Sequence, residues 1–212
     1  MKKKIFWTLL IVCALVFVLA ISVSAAEMAN YCTVKLTLTN GETVTAYCGI
    51  SGDRVQRDSL YKTPDSAGEK YSWEDVVVFD CRGQTVVGSN MPRSYAGTGC
   101  NALAKNVTTV YLSEYNTYLL NSSFTSQWSS LETVYASSSM TSIGGFAGAP
   151  LKNVIIAENS QLQSINGNAF QGCKFLESIN IGDCKNLKTI EGYAFQECKS
   201  LTSIDLPMAW NQ

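Results

Sequence analysis

Histidine is absent from this chain of 212 residues. Its absence excludes Ser-His-Asp and Cys-His catalysis and every zinc or iron site that needs imidazole. Charged residues make up only 16% of the sequence and the net charge is −1, so a basic surface for nucleic acid is not expected. The sequence also has no phosphate-binding loop, calcium-binding loop or nucleophile elbow. These absences predict a protein without catalytic residues, cofactor or metal ion.

The first 25 residues have the pattern of a targeting segment. Three lysines at positions 2–4 precede an apolar run over residues 5–23, and the small residues Ser24 and Ala25 follow it. This order predicts a signal peptide over residues 1–25, and hence a secreted or cell-surface protein. The alternative is an uncleaved membrane anchor, because the run approaches the length that spans a bilayer.

Residues 31–48 predict a β-hairpin with a cysteine on each strand. Apolar and polar residues alternate on both sides of Asn40-Gly41. A three-residue loop, 39–41, gives the two strands matching apolar faces and puts glycine at the left-handed position. In that register Cys32 lies opposite Cys48, and directly opposed cysteines approach disulfide geometry when the pair is of the non-hydrogen-bonded kind. We therefore predict a Cys32–Cys48 disulfide.

Seven cysteines follow the predicted signal peptide, and an exported chain can oxidise them. Cys81 and Cys100 are assigned to a second disulfide by elimination. Strands are predicted at 76–79 and 85–87, and loops rich in glycine and proline surround them. Residues 26–105 are therefore predicted to be a small disulfide-stapled β module that caps the chain beyond it.

The last third of the chain repeats with a period of 25 residues. Gly-x-Ala-Phe-x-x-Cys occurs at 167–173 and again at 192–198, and each copy leads into a strand-like Leu-x-x-Ile segment. A further close copy of that segment starts at 151, and looser copies start at 107 and 131. A period of this length indicates stacked units, each unable to bury its apolar face alone.

The repeat resembles the BspA-like leucine-rich repeat family of bacterial surface and secreted proteins. The resemblance covers roughly residues 107–206, closely over 151–206. It implies a mostly β solenoid with short turns or one-turn helices over residues 106–212, in four units and a partial fifth. It also implies an adhesion-type binding protein, with host matrix proteins, host cells or other microbes as partners.

Three cysteines lie inside the repeats. Cys173 and Cys198 align with Ala149 in the preceding unit, which predicts small buried thiols rather than a disulfide or a metal site. Cys184 aligns with Asn159, which predicts a surface loop and an exposed, reactive thiol.

The outward strand positions are the candidate binding face. In Leu-x-x-Ile-x-Leu the apolar residues point inward, and the fifth position points outward. That position is occupied in successive units by Tyr111, Tyr135, Ile155, Asn180 and Asp205. Exposed tyrosine offers a large contact area with little rotamer entropy, although β-propensity alone also favours tyrosine and isoleucine on strands.

The sequence thus predicts a secreted or cell-surface protein that binds protein or cell-surface ligands. The alternative is a structural spacer or a truncated fragment of a larger surface protein, because the chain stops within a unit. An enzyme using carboxylates or cysteines of the 26–105 module is the least favoured interpretation.

Overall fold

The structure is a computed structural model that describes residues 30–51, 54–56, 60–64, 68–87, 94–96, 104–115 and 128–208. The predicted signal peptide lies outside these ranges. Where the chain is described, it is almost entirely β, with one short 3-10 helix, Trp73–Asp75. No helix in those ranges has the length and apolar character needed to cross a membrane.

In the ranges described above, the amino-terminal part contains eight strands. In chain order, β1 to β8 are Tyr31–Leu38, Thr43–Ser51, Arg54–Gln56, Leu60–Tyr61, Lys70–Tyr71, Val76–Asp80, Val86–Val87 and Ser94–Ala96. The central strand, β1, pairs with β2 on one side and with both β6 and β7 on the other, always antiparallel. Its inward residues Cys32, Val34 and Leu36 are at most 2% exposed, and form the core of this part.

The predicted hairpin is confirmed residue by residue. Leu36 faces Val44, and Cys32 faces Cys48, as the three-residue loop requires. Gly41 closes the loop at φ +86°, the left-handed region that glycine occupies without a Cβ penalty. Loop chemistry in the sequence therefore set the register of the whole strand pair.

The predicted Cys32–Cys48 disulfide is wrong, since the structure has both residues as buried thiols. The reason lies in the hydrogen-bond alternation of an antiparallel ladder. Ile50 N donates to Asn30 O at 3.0 Å, so the pair two residues along, Cys32 and Cys48, is also of the hydrogen-bonded kind. Such pairs hold their Cβ atoms farther apart than a cross-strand disulfide prefers. The sulfur of Cys32 instead accepts a hydrogen bond from Gln84 Nε2 at 3.5 Å.

The second predicted disulfide, Cys81–Cys100, finds no support either. Cys81 is a buried thiol, and Cys100 lies outside the described ranges. The described part of the chain contains no disulfide, so hydrogen bonds and apolar packing hold its amino-terminal strands together.

Residues 104–115 and 128–208 add seven strands. In order, β9 to β15 are Thr109–Tyr111, Thr133–Ala136, Ser142–Ile143, Asn153–Ile156, Ser164–Ile165, Ser178–Ile179 and Thr189–Ile190. β9, β10, β12 and β14 form one parallel ladder, and β11, β13 and β15 form a second. Three successive units therefore contribute one strand to each ladder, in the pairs β10 and β11, β12 and β13, and β14 and β15.

The two parts share one sheet, which has twelve strands among the residues that the structure describes. β6 of the amino-terminal part pairs parallel with β9, the first repeat strand, so that Phe79 lies beside Val110. The rings of Trp73 and Trp128 meet across the same boundary, with centroids 5.5 Å apart. The first repeat strand is thus covered by a hydrogen-bonded neighbour, and its edge is not open.

Phenylalanine rings and thiols repeat along the inside of the stack. Phe146, Phe170 and Phe195 are stacked with centroids 5.6 and 5.4 Å apart. The thiols of Cys173 and Cys198 are buried, as predicted, and donate to the carbonyls of Phe146 and Phe170, both at 3.1 Å. Cysteine at this position therefore fills a small space and also forms a hydrogen bond between units.

The prediction of an exposed thiol at Cys184 is also wrong. Cys184 is 2% exposed rather than presented by a surface loop, and burial raises the pKa of its thiol. The turn containing Cys184 is at the surface, but the side chain points inward. Cys184 is therefore not the exposed, reactive thiol that the alignment with Asn159 predicted.

Buried thiols make the stability of the fold sensitive to alkaline pH. Burial raises the pKa of Cys32 and of Cys173 to about 12, from an ordinary value of 9.0. Between these values the unfolded chain loses protons that the folded chain keeps, so stability is complete below pH 9 and falls as the pH rises. Between these pH values, each thiol lowers the free energy of unfolding by about 1.4 kcal/mol per pH unit. Urea unfolding at several pH values between 9 and 11 measures this dependence. The free energy of unfolding of Cys32→Ala should fall less steeply with pH than that of the parent protein, and an equal pH dependence would contradict the role of the buried thiol.

One repeat position requires a left-handed backbone. Gly148 and Gly172 occupy it at φ +73°, but Glu197 occupies it in the next unit at φ +61°. The Glu197→Gly variant should gain about 0.5–1 kcal/mol in the free energy of unfolding, because relief of left-handed strain exceeds the added entropy of glycine in the unfolded chain. The lost ion pair with Lys199 is exposed and contributes little. Chemical denaturation measures the gain, and Glu158→Gly, at a turn position without positive φ, should show none.

Candidate functional site

The outward residues of four neighbouring strands form a single row. Asp80 of β6 lies beside Tyr111 of β9, which lies beside Tyr135 of β10 and then Ile155 of β12. We call these four residues the outer row. Their strand neighbours on the other face, such as Val110 and Val134, are fully buried. The alternation of the strands thus separates a core face from a solvent-facing one.

The two tyrosines of the outer row are stacked. Their ring centroids are 4.3 Å apart and the planes differ by 11°. Arg82 covers the other face of Tyr111, with its Cζ 3.6 Å from the ring centroid. A cation above an aromatic face is attracted by the ring quadrupole, so the three side chains form an ordered stack.

Asp80 fixes the position of Arg82. The Nε and Nη2 groups of Arg82 donate to the two carboxylate oxygens of Asp80, at 3.0 and 2.7 Å. The carboxylate also accepts from the backbone N of Arg82, at 2.9 Å, which closes the turn after β6. Gly83 continues the turn at φ +62°. Asp80 therefore holds the guanidinium over the next strand.

The protonation states of the stack follow from this geometry. Burial, followed by the charge interaction with Tyr135, raises the pKa of Tyr111, so its phenol keeps its proton and can donate a hydrogen bond. The hydrogen bonds to Asp80 raise the pKa of Arg82, which is a cation at all relevant pH values. Arg82 thus stays positive and Tyr111 stays neutral across the neutral range.

A shallow groove of about 180 Å³ lies over the outer row. Its apolar surface comes from the two tyrosines, Ile155, Ala136 and Ala157, while Arg82 and Glu114 add charges. The Glu114 carboxylate accepts a hydrogen bond from Ser138 at 3.0 Å. A groove of this size accommodates a side chain of a partner rather than a whole small molecule.

Asn180 and Asp205, the other two predicted residues of the candidate face, are not part of the outer row. Asn180 uses its side chain on its neighbour: its Oδ1 accepts from Ile156 N at 2.6 Å and its Nδ2 donates to Ile156 O at 3.0 Å. Asp205 is exposed but lies in a segment without strand structure, next to Gly182. The structure therefore gathers Tyr111, Tyr135 and Ile155.

Asp80 and Arg82 were missed as site residues from the sequence. They lie outside the repeats, and only the parallel pairing of β6 with β9 brings them to Tyr111. The available signal was the Asp-Cys-Arg-Gly turn directly after a strongly apolar strand, a position where charged side chains meet a sheet surface.

A larger polar hollow of about 490 Å³ lies over the turns of two later repeats. It is bordered by Glu158, Asn159, Asp183 and Lys185, all of them exposed. None of the predicted binding residues lines it. Elsewhere in the described ranges, no group of three or more cysteines and carboxylates is placed to hold a metal ion.

Comparison with known proteins gives one match. Residues 144–212 match the family model described as a BspA type leucine rich repeat region, in six copies. A search of curated proteins and a search of solved structures found no match. The family match begins beyond Tyr111 and Tyr135, although their strands continue the same parallel ladder.

Proposed function

Because residues 144–212 are a leucine-rich repeat region of the BspA type, we propose that this protein is a binding protein that contacts other proteins through the outer row. Repeat regions of this kind present extended sheets and mediate protein–protein contacts. The observation that carries the assignment is the Arg82–Tyr111–Tyr135 stack, an ordered group of large side chains on the open face of the sheet. Tyrosine and arginine are the residues that most often dominate binding energy at interfaces.

The two parts of the chain have different roles in this proposal, and the protein is exported. The repeats over residues 106–212 act as a solenoid, and the module over residues 26–105 acts as its cap, which the β6–β9 pairing supports. The amino-terminal pattern of lysines followed by an apolar run supports export to the cell surface or the medium. In that location, matrix proteins of a host or surface proteins of other microbes are the expected ligands.

Adhesion of a triple variant tests the proposed function. Substituting Tyr111→Ser, Tyr135→Ser and Ile155→Ser removes the aromatic and aliphatic surface of the outer row. Binding of the purified protein to immobilised matrix proteins and to microbial cells should fall at least tenfold, because the central contact area is lost. Circular dichroism and thermal unfolding check that the fold is kept.

A matched triple variant separates this surface from general stickiness. Phe175, Tyr193 and Leu206 are also two aromatic residues and one aliphatic residue, and they are more exposed, at 58%, 68% and 43%. Serine substitutions at these three positions should leave adhesion unchanged. If the outer-row variant adheres as well as the parent protein, the proposed surface is wrong.

A further inference from the structure

The outer row does not end at the first repeat. Across β6 and β1, Asp80 lies opposite Lys35, and across β1 and β2, Lys35 lies opposite Thr45. Opposed residues of neighbouring strands share one face of a sheet. The row therefore runs from Thr45 to Ile155 over six strands, a distance of about 24 Å at the usual strand spacing.

The middle of this extended row contains Lys35, Asp80 and Arg82, whose charges sum to +1. Lys35 is exposed and forms no ion pair within the described part of the chain, and the side chain of Arg82 is 56% exposed. Asp80 lies between them, but both of its oxygens are bound to Arg82 and its side chain is only 18% exposed. Arg82 uses two of its five N–H groups on Asp80, so three can donate to a partner. Lys35 and Arg82 thus face solvent, while the Glu114 carboxylate in the groove accepts a hydrogen bond from Ser138.

The stack also limits the chemistry of the partner. Arg82 covers one face of the Tyr111 ring and Tyr135 covers the other, at 3.6 and 4.3 Å. A sugar ring or a nucleobase that binds by stacking has no open face of Tyr111 to occupy. At Tyr111 only the ring edge and the hydroxyl group are accessible, and together with the apolar groove beside Arg82 they suit the side chains of a protein.

We propose that the outer row and Lys35 form one interaction surface across both parts of the chain, and that its partner is an acidic protein segment. Carboxylates of that segment pair with Lys35 and Arg82, and a neighbouring aliphatic side chain enters the groove over Tyr135 and Ile155. This inference rests on the proposed function and names the kind of ligand that it takes. The amino-terminal part then supplies both charge contacts, and the repeats supply the apolar groove.

Peptide titration of the full chain without residues 1–25 tests the proposal. The probe is an acetylated and amidated peptide containing Glu-Leu-Gly-Glu, and its counterpart contains Gln-Leu-Gly-Gln. Amide chemical shifts should report binding of the glutamate peptide at least tenfold tighter than that of the glutamine peptide. The difference should shrink as salt is added, because screening weakens exposed charge pairs. Equal affinities, or no binding of either peptide, would overturn the proposal.

Charge variants locate the contact. Lys35→Gln combined with Arg82→Gln should weaken binding of the glutamate peptide at least tenfold, while Arg82→Lys retains part of the affinity. Lys174→Gln combined with Lys185→Gln removes two exposed charges from other turns and should change nothing. Equal affinity of the Lys35 and Arg82 variant and its parent would contradict the assignment.

The adhesion assay distinguishes failure of the acidic partner from failure of the proposed function. If the outer-row serine variant loses adhesion to matrix proteins but the Lys35 and Arg82 variant keeps it, the acidic partner is wrong and the proposed function stands. If the serine variant keeps its adhesion, the proposed function itself fails.

Discussion

Replacing Phe170 by alanine should lower the free energy of unfolding by about 3–5 kcal/mol, the range for deleting a buried phenylalanine. The ring is fully buried and lies between the rings of Phe146 and Phe195, with centroids 5.6 and 5.4 Å away. Its removal leaves a cavity that neither neighbour can fill without leaving its own unit. Urea denaturation followed by circular dichroism measures the loss.

Phe175→Ala is the matched control for this variant. Phe175 belongs to the same repeat but is 58% exposed, so the same chemical change should alter stability by no more than about 0.5 kcal/mol. Comparable losses in the two variants would contradict the internal position of Phe170. A loss of several kcal/mol is a large share of the total stability of an ordinary domain.

Phe79→Ala should be almost as damaging and should affect both parts of the chain at once. Phe79 is fully buried, and its ring centroid lies 5.2 Å from that of Trp73. In the sheet it lies between Leu36 of β1 and Val110 of β9. We expect a loss of about 3–5 kcal/mol. Because the ring supports the strand that joins the amino-terminal sheet to the repeats, the two parts should unfold in one transition at lower urea concentration.

The ring pair Trp73–Trp128 provides the readout for this variant. The two indoles are 5.5 Å apart across the boundary and should give a coupled signal in the circular dichroism spectrum. In Phe79→Ala that signal should be lost at the same urea concentration as the sheet signal. Val78→Ala, on the half-buried opposite face of the same strand, should cost about 1 kcal/mol or less. A repeat transition that stays unchanged in Phe79→Ala would show that the parts unfold independently.

Local features of this fold could be read from the sequence because local chemistry determines them. The loop around Gly41 sets the register of β1 and β2, and the 25-residue period sets the strands of the repeats. The rule that excludes the Cys32–Cys48 disulfide is local as well, because the loop type fixes which pairs are hydrogen bonded. Counting pairs outward from the Leu38 N to Glu42 O bond makes Cys32–Cys48 a hydrogen-bonded pair.

Other features needed the structure. The parallel pairing of β6 with β9 joins residues about thirty positions apart, and no spacing in the sequence encodes it. Arg82 therefore could not be placed over Tyr111, and half of the candidate site was missed. Cys184 shows a related limit: alignment of repeats gives the position of a residue along the chain, but not whether its side chain turns inward from the turn.

The direction of the ladder bonds has a mechanical consequence. In the repeats, each unit is joined to the next through bonds such as Phe146 N to Ala169 O and Phe170 N to Ala194 O, which run along the axis of the stack. Tension applied between the two ends of the chain therefore loads one junction at a time, and the units should peel off singly under low force. A partner held on the outer row pulls across the strands instead, and shares its load among several units. The same sheet thus extends readily under tension along the stack but resists a pull on the outer row.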